Sequence, residues 1–289
     1  MNTSYDVPPT VEEACYLLES DGAHALAGGV AFTMALSKGQ IQPGSIVSLA
    51  KLHGLRGVVV GAGLTIGAMT THGELLRNPA LAGYDPLLPL MFSDVGNVRV
   101  RAVGTLGGNL AYADPRHDPS PLLCALGAIV VLQSSRGTRR VLLESLAEGP
   151  FRTSIQRGEL LTAVELPPRP QTLRSGWSKL QTSSLDDYAS VSVAVAYEET
   201  GGQIANPRIF VGASDTHVHP LKASQCLAAS VVGGNGAIGA KAVEAAADAL
   251  EKEIQPKDDH RGSRHYKRQL VRVALVRAIA RARSGGESQ

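Results

Sequence analysis

Residues 24–39, HALAGGVAFTMALSKG, decide the fold class: a short apolar run ends in two glycines, and a helical stretch follows that stops at Gly39. HALAGG reads as a strand and FTMALSKG as a short helix, so Gly28 and Gly29 mark a strand-to-helix turn. Upstream, Thr10 and Glu13 are spaced as a capping box for a helix over VEEACYLLES, and downstream IVSLAKL is a strand again. The opening section therefore predicts a small parallel α/β unit.

From Gly57 the pattern changes. GVVVGAGLTIG gives two strand-like runs around a glycine turn, and THGELL gives a helix that Thr71 and Glu74 cap together. Helical pieces at Leu87–Phe92 and Pro121–Leu126 bracket TLGGNLAYADPRHD, residues 105–118. AIVVLQSSRGTRRVLL is a hairpin turning at Ser135–Thr138, and LLTAVELPPRP ends in prolines that mark a domain boundary. Beyond it, ASVSVAVAYEE alternates as a half-buried strand and PRIFVGAS is another. Helices over KASQCLAAS, GAKAVEAAADALEKE and SRHYKRQLVRVALVRAIARA follow. Strands first and helices after them predict an α+β domain with its helices on one face of an antiparallel sheet.

With 289 residues the chain is long enough for two or three subdomains, and 44% hydrophobic with 19% charged residues excludes extensive disorder. A net charge of +2 does not point to nucleic acid. The basic C-terminal segment reads first as a solvated helix face, with a docking surface for an acidic partner as the alternative. No secretory pattern and no apolar run of transmembrane length is visible, so a cytoplasmic protein is expected. Cys15, Cys124 and Cys226 are too scattered for a disulfide framework, a zinc site or an iron–sulfur site.

Several short motifs carry possible chemistry. Gly61, Gly63 and Gly67 in GAGLTIG are spaced G-x-G-x-x-x-G and lead into a strand, so a dinucleotide fingerprint is rejected in favour of a hairpin turn. Gly28 and Gly29 do open a helix, where backbone N–H groups and the helix dipole favour an anion. In TLGGN, Thr105 offers a hydroxyl, Gly107 and Gly108 can take positive φ, and Asn109 can bond the turn. A turn and a phosphate loop both stay open for each segment alone, although two such loops suit a ligand with two phosphates. Asp114, Arg116, His117 and Asp118 read as a polar loop, an acid–base pair or metal ligands. His217 and His219 in THVHP make an incomplete metal site.

Taken in order, AGGVAFTMALSKG, IVSLAKLHGLRGV, LTIGAMTTHGELL, VGNVRVRAVGTLGGNLAYADPRHDPSPLLCALGA and DDHRGSRHYKRQLVR resemble the FAD-binding medium subunit of molybdenum hydroxylases, the carbon monoxide dehydrogenase and xanthine dehydrogenase type. The resemblance implies a two-part FAD-binding domain, a small parallel α/β unit (1–55) plus a larger mixed sheet (56–172). A C-terminal antiparallel sheet with a three-helix bundle (173–289) completes the chain. It implies that Ala25, Leu26, Ala27, Gly28, Gly29, Val30, Ala31 and Phe32, with Thr105, Leu106, Gly107, Gly108 and Asn109, hold the FAD pyrophosphate. Asp118 matches an acidic FAD contact on the ribityl side, Val95, Gly96 and Leu161 match flavin-lining positions, Lys179 matches a lysine near the isoalloxazine, and Asp187 with Tyr188 matches a pair at the flavin's exposed face. Val30 and Ala31 depart from the family's usual His or Thr and Ser or Asp, and QTSSL, residues 181–185, lacks its usual basic residues.

The implied activity is electron transfer. FAD takes electrons from [2Fe-2S] clusters of a small partner subunit and gives them to an external acceptor, while a large partner subunit carries the molybdopterin centre. No side chain here is then a general acid or base, and the choice of oxidised molecule lies on the partner. A stand-alone flavin oxidase or dehydrogenase is the alternative, but its own substrate pocket fits poorly with 4% aromatic residues. A basic binding module without enzymatic activity would need neither glycine loop.

Overall fold

The computed structural model describes residues 3–284 apart from 183, 185, 216, 217, 219, 220, 229, 231 and 233–237, so His217 and His219 lie outside the described residues. The first section runs β1 (Ser4–Asp6), α1 (Val11–Leu17), β2 (Ala23–Leu26), α2 (Val30–Ser37) and β3 (Ser45–Ser48). Its three strands form a parallel sheet in the order β1-β3-β2, as the strand–glycine–helix pattern predicts. The Thr10 hydroxyl accepts the Glu13 amide at the start of α1. Ala14, Cys15, Val47 and Leu49 form the small core beneath.

The middle section contains β4 (Val58–Val60), β5 (Leu64–Gly67), α3 (His72–Leu76), α4 (Pro79–Tyr84), α5 (Leu87–Ser93), α6 (Val98–Val103), α7 (Leu106–Tyr112) and α8 (Pro119–Ala125). It continues with β6 (Ile129–Ser134), β7 (Gly137–Leu142), β8 (Ala147–Gly149), β9 (Arg152–Thr153) and β10 (Leu160–Leu166). GAGLTIG is the β4–β5 hairpin, closed by Gly61 N–H on the Gly63 carbonyl, and Thr71 and Glu74 make the expected reciprocal cap. The main sheet, ordered β4-β5-β10-β6-β7, is antiparallel at every pairing and not mixed. The reason is β10. The helical excursion from β5 to β6 would leave those two strands parallel neighbours, but β10 inserts between them and pairs with both.

The last section holds β11 (Leu173–Leu180), β12 (Val191–Thr200), β13 (Gln203–Gly212), α9 (Ala240–Glu253) and α10 (Arg264–Arg283). The strands form an antiparallel sheet, and the expected first helix forms as a short 3-10 turn at Lys222–Cys226. β12 is buried on both faces rather than half-buried. Val191, Val193, Val195 and Tyr197 pack under α9 and α10, whereas the small Ala194 and Ala196 join the main core. Close approach explains Gly176: a Cβ there would stand 1.8 Å from the Ala278 carbonyl oxygen of α10.

Part of the basic charge of α10 is paired within the chain. Arg272 meets Glu244, Asp248 and Glu251, Arg264 meets Asp258, and the nearly inaccessible Lys267 meets Asp259. The solvated-face reading of this helix therefore holds for only part of it.

Candidate functional site

A cleft of about 1170 Å³ runs between the small parallel sheet, the α6–α8 region and the segment after β11. At one end β2 delivers Gly28 and Gly29 to the start of α2. Gly29 sits at φ +78°, a conformation glycine adopts without penalty, and no side chain caps the helix. Among the described residues the amides of Gly29, Val30, Ala31 and Phe32 find no acceptor, and all four residues line the cleft. Open amides and the positive end of the helix dipole together make an anion site that needs no side chain.

Gly28 has a different task. A Cβ on it would lie 1.8 Å from the Val103 carbonyl oxygen, so the glycine lets the first segment seat directly on the backbone at the end of α6. That contact holds the two glycine segments together.

The second segment is a helix rather than a loop. Thr105 caps α7 by accepting the Gly108 amide, and Gly107 and Gly108 are helical, with no positive φ. Leu106 N–H donates to the Thr70 carbonyl at 3.0 Å and Gly107 N–H to the Ala68 carbonyl at 2.8 Å, so neither amide is free for a phosphate. The glycines provide closeness. A Cβ on Gly107 would stand 2.6 Å from the Ala68 Cβ, and one on Gly108 would stand 2.9 Å from Thr105 Oγ1. The anion end of the cleft therefore rests on α2; Asn109 Oδ1, buried without a partner, is an acceptor and suits a donor group of a ligand rather than a phosphate.

At the other end, Val95 and Gly96 form a turn that Arg101 secures by donating from Nη1 to the carbonyls of Ser93, Val95 and Gly96. Leu161 on β10 and Tyr188 complete this wall. Tyr188 lies under the guanidinium of Arg116, 4.6 Å from the ring centroid, with Arg261 at 5.3 Å. Asp187 pairs with Arg261 at 2.7 Å, and that hydrogen bond holds its carboxyl below the usual range.

In DPRHD, Arg116 grips Asp114 with two bonds, and His117 donates from Nδ1 to the Asn109 carbonyl at 3.0 Å. Burial lowers the His117 pKa, which favours the neutral ring. Asp118 is paired with Lys179 at 2.9 Å, yet burial outweighs that partner and pushes its carboxyl up to about 7. No cluster of metal-ligating residues occurs among the described residues.

Of the residues matched to FAD contacts, Leu26, Leu106 and Lys179 do not line the cleft, and neither do Asp114 and Arg116 of DPRHD. Leu106 is fully buried in the main core, and Lys179 lies behind Asp118. Sequence reasoning missed His72, Tyr112 and Phe151, which do line it. His72 is buried against Phe92 and its pKa falls to about 3, chiefly through desolvation. Tyr112 packs edge-on against Phe151 and continues to His117 and Tyr188 in one aromatic row. No spacing rule joins these residues, because the fold alone brings them together.

Residues 1–169 match the FAD binding domain of molybdopterin dehydrogenases, and residues 179–282 match the CO dehydrogenase flavoprotein C-terminal domain. The chain belongs to this flavoprotein family. The flavoprotein is 31% identical to the glyceraldehyde dehydrogenase medium chain of Sulfolobus acidocaldarius over 96% of both chains. It is also 31% identical to the carbon monoxide dehydrogenase medium chain of Afipia carboxidovorans, over 97% of this chain and 96% of the other. Its structure superposes on carbon monoxide dehydrogenase from Hydrogenophaga pseudoflava with a TM-score of 0.92 at 27% identity, covering 99% and 98% of the two chains. The flavoprotein is an oxidoreductase subunit that binds FAD. The cleft fits that cofactor on two observations: open amides at the α2 terminus suit a pyrophosphate, and Asp118 Oδ1, buried without a partner, suits a hydroxyl donor. No helix among the described residues is long and apolar enough to cross a membrane.

Proposed function

We propose that this chain is the electron-transfer subunit of a heterotrimeric molybdenum hydroxylase, assembled with a large molybdenum-binding subunit and a small iron–sulfur subunit. When bound, FAD would supply the redox chemistry between the partner's [2Fe-2S] clusters and an external acceptor. The observation that carries this reading is one cleft with an uncapped helix start at one end and an unpartnered carboxylate oxygen near the other. The amides of Val30 to Phe32 would hold the pyrophosphate, Asp118 would accept from a ribityl hydroxyl, and Val95, Gly96, Leu161 and Tyr188 would line the flavin. The chain's residues would bind and orient the cofactor.

The purified chain is expected to show a flavin absorption spectrum and to release FAD on denaturation. Adding FAD at about 100 times its Kd to stripped protein should raise the folding free energy by about 2.7 kcal/mol, visible as a higher Tm. A colourless chain whose Tm ignores FAD would overturn the cofactor assignment. Co-purification with an iron–sulfur and a molybdenum subunit tests the heterotrimer separately.

Ala31 leaves the start of α2 without a hydroxyl. Ala31→Ser adds one bond to an anionic group and should tighten FAD by about fivefold, equivalent to roughly 1 kcal/mol, in a fluorescence titration.

A further inference from the structure

Phe151 sits at the tip of the β8–β9 hairpin, where Gly149 pairs with Arg152 and Pro150 and Phe151 make the turn. Its φ is +58°, in the left-handed region. A proline followed by a residue of positive φ is the arrangement of a type II turn, and that second place favours glycine or asparagine. A phenylalanine there is strained, and burial does not account for it, because Phe151 is 55% exposed. Ala113 is left-handed too, at φ +50°, and its carbonyl accepts the Phe151 amide at 2.9 Å. The two strained residues fix one another, and the result is an aromatic ring held at the rim of the cleft.

Three other rings continue from it. Tyr112 stands edge-on to Phe151 with centroids 5.2 Å apart, His117 follows at 5.9 Å from Tyr112, and Tyr188 at 6.1 Å from His117. All four line the cleft, so the row leads from its rim to the wall at Tyr188. The cations beside the outer pair are already matched: Arg116 by Asp114, Arg152 by Glu148 and Arg157 by Asp21. None of these three is left over for a phosphate, whereas the two outer rings offer a face and an edge to a flat, uncharged molecule.

Resting on the reading that the cleft holds FAD and passes electrons to an external acceptor, we propose that Tyr112 and Phe151 form the binding site of that acceptor, and that the acceptor is a quinone. A quinone is flat, neutral and reducible, which is the combination this site selects. The step balances: the quinone takes two electrons and two protons from the fully reduced cofactor, its two carbonyls become hydroxyls, and the cofactor returns to its oxidised form. The strain at Phe151 persists because the ring is used.

Duroquinone is the probe, titrated calorimetrically into the FAD-loaded full chain and mixed in stopped flow with the photoreduced chain. Phe151→Gly relieves the turn, so its Tm should stay at or above the parent value, with the parent's Kd for FAD. Its Kd for duroquinone should rise about tenfold, and reoxidation by subsaturating duroquinone should slow by the same factor. Reoxidation by ferricyanide, which needs no ring to stack on, should not change. Phe151→Leu keeps the apolar bulk and the strain and should lose duroquinone likewise, whereas Phe151→Tyr should retain it. An unchanged duroquinone Kd in Phe151→Gly, or a parent chain that does not bind duroquinone, overturns the proposal and leaves the cofactor assignment intact. A matching loss of FAD affinity in Phe151→Gly would assign the ring to the cofactor and overturn the acceptor site as well. A parent chain that binds no FAD overturns both readings.

Discussion

Gly28→Ala, the smallest side chain that can be added, is expected to remove FAD from the purified protein and lower its Tm by about 6–10 °C. The added Cβ would sit 1.8 Å from the Val103 carbonyl oxygen and 2.7 Å from its carbon. Backbone at the end of a helix cannot move aside as a flexible side chain can, so the β2–α2 turn must lift away from α6. The cost is about 3 kcal/mol, and the open amides of α2 are carried out of line with the rest of the cleft. Gly83→Ala is the matching control, because a Cβ there meets nothing within 4 Å and the residue lies in α4. Its flavin content should stay at the parent value and its Tm should not fall, since alanine favours a helix over glycine. Full flavin content in Gly28→Ala would show that the two segments do not need each other.

Gly107→Val should also abolish FAD binding, by displacing α7 rather than by filling the room of a phosphate. Its first added atom would stand 2.6 Å from the Ala68 Cβ and 2.9 Å from the Ala68 carbonyl oxygen, which accepts the Gly107 amide. A further substitution separates the two explanations. Combining Gly107→Ala with Ala68→Gly removes the closest clash and should recover part of the flavin content, with a coupling of about 1 kcal/mol in a double-mutant cycle of stability. If the glycine were needed only to make space for the ligand, the second change would recover nothing.

The strand–glycine–helix order of residues 24–39 was legible because it depends on local periodicity and on one position that needs φ above zero. TLGGN was misread for the opposite reason. Two adjacent glycines disfavour a helix on propensity, and α7 forms because Thr70 and Ala68, close in space but far along the chain, accept its first amides. β1 escaped notice because it is only three residues long, and β11 because LRSGWSKL lacks alternation when both faces are covered. The place of Lys179 behind Asp118 has no sequence signature, since a lysine facing the cleft and one facing a carboxylate behind it look the same in one dimension.

The late position of β10 in the chain has a consequence for biogenesis. This strand closes the main sheet by pairing with β5 and β6, and it brings Leu161 to the cleft wall, yet it is synthesised after both of them. A nascent chain that ends before Leu160 has two unsatisfied edges and no complete wall. A chain truncated before β10 is therefore expected to bind FAD poorly and to aggregate through those open edges.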